Sequence, residues 1–246
     1  MNDQVKIIQI DIAEGTQWGD ANTNKFIRQI CIPSVQRYCQ KHGYEYQLIT
    51  ESKYEKEIGK FDFLATKLKH YSFERYFHFH NPDKSTIYID NDVYIFSEAD
   101  PLPPIKGLMN VREPEGNSSK IFREVNNLPP DIPYYNSGVT FCDSSISEHL
   151  SNYMLERLKK QKRAKGKNTD NMMLNEYLIE NEIEFNELGC EWNYMPFLPN
   201  SEKTTKPNFY HFIGGYGKAV IKLLQSQKKL QLDDYLIKAN FSFNKK

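Results

Sequence analysis

Two aspartates one residue apart interrupt a run of strand-forming side chains in the stretch STIYIDNDVYIF, residues 85–96. Burying an unpaired carboxylate is costly, so Asp90 and Asp92 need partners if this stretch is a buried strand. Ligands bind at the carboxyl ends of strands in a parallel α/β sheet, and a single intervening residue lets both side chains reach one ion. Such oxygen ligands suit Mg²⁺ or Mn²⁺ bound together with substrate phosphates. A β-turn of the Asn/Asp type between two short strands is the structural alternative.

A histidine, three glycines and a lysine follow one another in FYHFIGGYGK, residues 209–218. The apolar neighbours of His211 predict a buried segment, where a histidine can be either a core residue or a metal ligand. Glycines permit close approach of the backbone to a phosphate, and Lys218 supplies a compensating positive charge. The segment therefore has the residue types that a diphosphate site needs.

The first half of the chain alternates strands and helices, as expected if a parallel sheet positions these side chains. Strands are predicted at residues 5–12, 44–49 and 85–96, and helices at residues 24–42 and 62–77. Pro33 predicts a kink or a late start in the first helix. Strand, helix, strand, helix, strand favours an α/β fold with right-handed crossovers.

The second half is less regular, although a single domain over residues 1–246 is expected. Residues 1–110 would form its nucleotide-binding half and residues 111–246 its acceptor-side half. Strands are predicted at residues 107–111 and 138–142, and helices at residues 146–161 and 171–179. Residues 113–133 are rich in Pro, Asn and Ser and predict a long loop, which can serve as a lid.

Composition excludes some classes of protein. The 32 basic and 32 acidic side chains cancel, which argues against a general nucleic-acid binder. The four cysteines form no C-x-x-C pair and no secretory leader is recognised, so a reduced cytoplasmic protein is expected. No apolar run approaches the roughly 20 residues of a transmembrane helix. The basic run KKQKRAKGK, residues 159–167, is expected to be a solvated helix end, with contact to a membrane surface or an anionic acceptor as the alternative.

Four segments together resemble the GT-A-fold, nucleotide-sugar-dependent glycosyltransferases, and family 8 galactosyl- and glucosyltransferases in particular. In chain order they are IYIDNDVYI, YYNSGVTFC, TDNMMLNEYL and FYHFIGGYGK. The resemblance covers the chain from about residue 87 to residue 218. It implies a Rossmann-like, mostly parallel sheet flanked by helices, with an irregular acceptor-side second half.

The resemblance also implies roles for individual residues. His211 would be the third metal ligand beside the two aspartates, and Lys218 would meet the diphosphate. Asn136, Asp170 and Asn171 would surround the sugar and the incoming hydroxyl. Asp170 can also cap the helix that follows it, and one side chain could serve both purposes.

Weaker candidates complete the predicted site. Asp11 ends the first strand, where such enzymes hold the nucleotide base. Lys67 matches a donor-binding basic position, and the backbone near Asn91 would help to position the nucleotide. Trp192 and Asn193 fit either the core or the wall of an acceptor site.

The sequence thus predicts a Mn²⁺- or Mg²⁺-dependent hexosyltransferase. Its donor would be a nucleotide diphosphate sugar, with UDP-glucose or UDP-galactose as the first candidates. Its acceptor would be a saccharide or a glycolipid. The resemblance implies retention of configuration. The alternatives are a non-catalytic nucleotide-sugar or carbohydrate-binding module and a sugar nucleotidyltransferase, although the loop after the first strand lacks the basic residues of the latter. Two departures from family 8 indicate a distant branch. Asn171 stands where family 8 prefers Gln, and one extra residue separates His211 from Lys218.

Overall fold

A six-stranded sheet in the order β2-β1-β3-β6-β5-β7 forms the centre of the protein. A computed structural model describes residues 4–12, 21–53, 71–160, 170–181, 183, 185–196, 198, 200–226 and 232–243. The strands of the central sheet are β1 (Val5–Ile10), β2 (Glu45–Ile49), β3 (Ser85–Ile89), β5 (Leu108–Arg112), β6 (Tyr135–Cys142) and β7 (Phe185–Leu188). Two further strands, β4 (Val93–Ile95) and β8 (Phe209–His211), pair in a small second sheet.

Five of the six central strands run in one direction. β1 is parallel to both β2 and β3, and β5 is parallel to β7. Only β6 runs the other way, antiparallel to β3 and to β5. The predicted α/β class with a mostly parallel sheet is therefore confirmed.

Helices cover the sheet and connect its strands. They are α1 (Ala21–Phe26), α2 (Ile32–His42), α3 (Asn117–Asn126), α4 (Ser144–Lys159), α5 (Asp170–Glu180), α6 (Gly214–Ser226) and α7 (Leu232–Phe243). Shorter helical turns are a π-helical segment at Ile27–Cys31 and 3₁₀-helices at Tyr71–Phe77 and Cys190–Trp192. Within the described ranges, no helix combines the length and the apolar character that crossing a bilayer requires.

Both faces of the sheet are buried, because neighbouring residues of each strand point to opposite sides. On β1, Ile8 belongs to one apolar cluster with residues of α4 and α5, whereas Ile7 belongs to another with residues of α2. On β3, Tyr88 and Ile87 divide in the same way. This explains the near-continuous apolar character of these strands.

The predicted irregularity at Pro33 is present. The π-helical segment Ile27–Cys31 precedes α2, and Pro33 lies in the first turn of α2. A proline is tolerated there because the N–H groups of a first turn have no partner within the helix. Gly43 ends α2 in the left-handed conformation, with φ of 74°.

The stretch predicted as one strand at residues 85–96 consists of two strands in different sheets. β3 ends at Ile89, Asp90 and Asn91 lead into a turn, and β4 then pairs with β8. The backbone N–H of Val93 donates to the carbonyl of Asp90 at 3.1 Å, which closes the turn. The turn that the sequence offered as an alternative therefore exists, and it brings the two aspartates beside β8.

The prediction of a loop at residues 113–133 is wrong, because the segment contains α3. Phe122 of α3 is fully buried, and the Ser119 hydroxyl accepts from the Gly116 N–H at 3.0 Å at the start of the helix. Asn127 ends it in the left-handed conformation, with φ of 53°. Prolines and asparagines on either side of a short helix produce the composition of a loop. The proposed closing of this segment over a donor stays a prediction.

Candidate functional site

Asp90, Asp92 and His211 lie together where β3, β4 and β8 meet. Asp90 follows the last residue of β3, Asp92 precedes β4, and His211 is paired with Val93 in the small sheet. One ligand atom from each of the three side chains lies within 4.8 Å of the others. Nε2 of His211 is 3.3 Å from Oδ1 of Asp92 and 3.9 Å from Oδ2 of Asp90. The structure thus brings together the three residues that the sequence proposed as metal ligands.

A chain of hydrogen bonds fixes which nitrogen of His211 faces the aspartates. The N–H of Gly138 donates to Oδ1 of Asn136 at 2.9 Å, and Nδ2 of Asn136 donates to Oε2 of Glu113 at 3.0 Å. Oδ1 of Asn136 also accepts from Nδ2 of Asn193 at 2.9 Å, so Oδ1 of Asn193 is left to accept from Nδ1–H of His211 at 2.9 Å. In its neutral form the imidazole then presents the lone pair of Nε2 to the aspartates, as a metal-ligating histidine does.

Gly138 leaves room for this arrangement. A Cβ at this position would lie 2.4 Å from Cε1 of His211, 2.7 Å from Oδ2 of Asp90 and 2.9 Å from Oδ1 of Asn136. The carbonyl of Gly138 also accepts from the N–H of Asp90 at 2.7 Å, which joins β6 to the end of β3. The glycine of the YYNSGVTFC segment is therefore required by close packing against two of the three candidate ligands.

Arg75 forms the other side of the site, and the sequence analysis missed it. Its Nη1 donates to the carbonyl of Ser137 at 2.6 Å, and its Nη2 donates to Oδ2 of Asp170 at 2.7 Å and lies 3.5 Å from Oδ1 of Asp90. The guanidinium lies over the ring of Tyr88, 3.7 Å from the ring centre, and is 1% exposed. Its charge is thus balanced by two carboxylates. Arg75 belongs to the predicted helix at residues 62–77, but nothing in that pattern distinguishes it from the other cations there.

The three predicted sugar-side residues belong to one network. Oδ2 of Asp170 accepts from the Ser137 hydroxyl at 2.6 Å, and Oδ1 of Asn171 accepts from the Ser137 N–H at 2.8 Å. Nδ2 of Asn171 donates to Oε2 of Glu113 at 3.0 Å, the same oxygen that binds Asn136. Among the described residues, the hydrogen-bond donors to the Asp170 carboxylate are Arg75 and Ser137 and not the N–H groups of α5. In these contacts Asp170 pairs with Arg75 and Ser137, and its role beside the sugar stays a prediction.

Glu113 is the second residue that sequence reasoning missed, since it stood at the edge of a predicted loop. It is half-buried, and it links Asn136 to Asn171 through Oε2. Burial raises the pKa of Glu113, and the hydrogen bond from Asn136 opposes this shift. Only the three-dimensional contacts show its place in the site.

Burial and mutual charge shift the pKa values of two candidate ligands upward. Burial raises the pKa of Asp90 to about 6, against the influence of Arg75 and with a further contribution from Asp92. Burial lowers the pKa of His211, but the neighbouring carboxylates, Asp92 above all, outweigh it and the net shift is upward. A bound divalent cation reverses this situation, because it stabilises the carboxylates and the neutral imidazole.

The predicted nucleotide-side residues are less closely gathered. The Asp11 carboxylate pairs with the Arg28 guanidinium through three hydrogen bonds of 2.8, 2.9 and 3.2 Å. Asn91 donates to the carbonyl of Ile10 at the end of β1. Lys218 is half-buried in α6. Lys67 lies outside the described residues, as do residues 161–167 of the basic run. Their roles stay predictions.

The fold itself is that of the GT-A glycosyltransferases. The protein is similar to a glycosyltransferase involved in glycosylation of the major capsid of PBCV-1, with 15% identity and a TM-score of 0.53 over 89% of this chain and 99% of the other. It is also similar to the galactosyltransferase LgtC in complex with donor and acceptor sugar analogues, with 12% identity and a TM-score of 0.54 over 94% and 98% of the two chains. No protein-family model and no curated protein sequence matches the chain.

Proposed function

We propose that this protein is a glycosyltransferase that needs a divalent cation, Mn²⁺ or Mg²⁺. It would transfer a hexose from a nucleotide diphosphate sugar, with UDP-glucose and UDP-galactose as first candidates, to a saccharide or glycolipid acceptor. The observation that carries the proposal is the cluster of Asp90, Asp92 and His211, with Nε2 of the histidine directed at the carboxylates. Retention of configuration is part of the proposal and rests on the resemblance to family 8.

The donor set fits such a cation. Two carboxylates and a neutral imidazole are oxygen and nitrogen ligands of the type that Mn²⁺ accepts, and they leave positions for phosphate oxygens. When bound, the cation would neutralise the charge that develops on the departing diphosphate. The hydrogen bond between Nδ1 of His211 and Asn193 supports this fit, because it leaves Nε2 facing both carboxylates.

The remaining residues of the site would bind and orient the substrates. Asp170, Asn136 and Asn171 would surround the sugar, as their shared contacts to Ser137 and Glu113 support. The negative charge of Asp170, held in place by Arg75, would stabilise positive character at the reacting carbon. Preorganised groups of this kind act without rearrangement during the reaction.

On the nucleotide side, Asp11, Asn91 and Lys67 would position the nucleotide, and Lys218 would bind the diphosphate. The contact of Asn91 with the end of β1 supports a common nucleotide-binding edge formed by β1 and β3.

Slow hydrolysis of sugar nucleotides in the presence of Mn²⁺ tests the proposal. We expect hydrolysis of UDP-glucose or UDP-galactose that EDTA abolishes, and we expect Asp92→Asn to abolish it as well. Asp83→Asn, the same change at an exposed position outside the site, should behave like the wild type. Hydrolysis that persists in EDTA would contradict the metal assignment. Metal-dependent binding of a sugar nucleotide without any turnover would instead support a non-catalytic binding module.

A further inference from the structure

A cavity of about 450 Å³ lies on the acceptor-side half of the protein, between the end of β5, α3 and the segment that follows β7. Its volume is within the range of roughly 300–1,000 Å³ that is usual for small-molecule sites. The residues of the candidate metal cluster do not line it, so it is a separate space from the cation site.

The cavity nevertheless shares two wall residues with the hydrogen-bond network of the metal centre. Glu113 and Asn193 both line it, and both are hydrogen-bonded to Asn136. Asn193 in addition holds His211. Only Oε2 of Glu113 accepts hydrogen bonds from the part of the chain that the structure describes, which leaves Oε1 as an acceptor for a ligand hydroxyl. Through Glu113, the wall of the cavity is therefore in direct contact with Asn136 and Asn171, two of the residues assigned to the sugar.

Acidic side chains outnumber basic ones around the cavity. Its two arginines are both engaged in ion pairs, Arg112 with Glu187 at 2.9 Å and Arg123 with Glu115. Three further carboxylates line the space, those of Glu113, Asp131 and Glu202. No lysine or arginine in the described ranges forms an ion pair with these three. The lining thus has three more carboxylates than guanidinium groups.

We infer that this cavity binds the acceptor and that it selects an amine-bearing saccharide over a neutral one, and a neutral saccharide over a phosphorylated or uronic one. The inference deepens the proposed function and rests on it. A negatively charged group entering the cavity would meet three carboxylates that form no ion pair within the described chain, and like charges repel. Glu113 is half-buried, whereas Asp131 and Glu202 are exposed. A protonated amine would be attracted by the same groups, and a neutral sugar would use them as acceptors for its hydroxyls.

Direct binding measurements test this order without a donor. The probes are three tetrasaccharides of similar size: a glucosamine tetramer, cellotetraose and a galacturonate tetramer. At about pH 6 sugar amines are mostly protonated, whereas exposed carboxylates of Asp and Glu are ionised. We expect the amine-bearing tetramer to bind at least about 10-fold more tightly than the galacturonate tetramer, with cellotetraose between them. Added salt should reduce the difference, since it screens exposed charges.

Matched variants assign the effect to the cavity. The double variant Asp131→Asn/Glu202→Gln keeps the shape of both side chains. In this variant the affinities for the amine-bearing and the anionic probe should differ by no more than about 3-fold. The control Asp83→Asn/Glu148→Gln removes two exposed carboxylates elsewhere and should retain the wild-type ratio. Equal or tighter binding of the galacturonate tetramer, an unchanged ratio in the cavity variant, or no binding of any probe would each overturn the inference.

The inference and the proposed function fail in different ways. Mn²⁺-dependent hydrolysis of a sugar nucleotide without the expected order of binding would overturn the acceptor assignment alone. The expected order of binding without hydrolysis of any sugar nucleotide would support a charge-selective saccharide site and would overturn the proposed transferase.

Discussion

Replacing Gly138 by alanine is the sharpest test of the candidate metal centre, because the change adds one methyl group between two candidate ligands. The added Cβ would lie 2.4 Å from Cε1 of His211 and 2.7 Å from Oδ2 of Asp90, whereas ordinary contacts begin at 3.4 Å. The imidazole would therefore have to move by about 1 Å. Its Nδ1 is held by Asn193, so this movement either breaks that hydrogen bond or displaces Nε2.

The expected magnitude follows from the tolerance of metal coordination. Ligand distances vary by only about ±0.2 Å, so a displacement five times larger removes a ligand in effect. Disturbing a residue that merely orients a ligand costs about 10–100-fold in affinity. We expect Gly138→Ala to lower Mn²⁺ affinity by at least about 100-fold, equivalent to about 2.8 kcal/mol of binding free energy.

Titration of Mn²⁺, followed by calorimetry or by the electron paramagnetic resonance of free Mn²⁺, measures this without a substrate. Gly116→Ala is the matched control, because the nearest atom to its added Cβ, the carbonyl oxygen of Pro114, is 3.7 Å away. Thermal denaturation of both variants shows whether each is folded. A folded Gly138→Ala protein that binds Mn²⁺ within 3-fold of the wild type would refute the reasoning from its packing.

Three further changes test other parts of the structure. Asn193→Ala should lower Mn²⁺ affinity about 10–100-fold in the same titration, because the orientation of the histidine ligand is lost, and Asn193→Asp, which keeps an acceptor, should lose less. Asp170→Asn should lower donor hydrolysis about 100-fold, because a charge near the reacting carbon is lost. It should also lower the melting temperature, because buried Arg75 loses its nearest carboxylate. Wild-type turnover in this variant would mean that Asp170 has only a structural role. Phe122→Ala should cost about 3–5 kcal/mol in urea unfolding, whereas Ile179→Ala, at a position that is 40% exposed, should cost little.

The sequence was informative where a function depends on residues close together in the chain. Apolar runs predicted the strands of the parallel part of the sheet, and the spacing of Asp90 and Asp92 indicated a candidate cation site. His211 became a candidate through its buried surroundings and the family resemblance. Its position beside the aspartates depends on the pairing of β4 with β8, which nothing in either strand specifies.

Residues whose roles arise only from tertiary contacts could not be predicted. Arg75 meets Ser137 and Asp170 across separations of 62 and 95 residues. The sequence of the helix predicted at residues 62–77 contains other basic residues, so it does not single out Arg75. Glu113 acquires its role from amides on β6 and α5. Helix α3 was missed for a related reason, because a helix this short is stabilised by packing of its apolar face, here through Phe122, more than by its own propensity.

The geometry of the site also links cation binding to folding. The two aspartates follow β3, but His211 lies more than a hundred residues later, and Asn193 and Asn136 orient it from two further segments. An unfolded chain has no preformed site of this kind, so a cation that binds the folded protein stabilises it, by about 2.7 kcal/mol at a concentration 100 times the dissociation constant. Burial and the charge of Asp92 raise the pKa of Asp90, so the folded site carries an electrostatic cost that a bound cation would remove. The affinity for such a cation would therefore depend on the correct packing of β6 and β8 as much as on the ligands themselves.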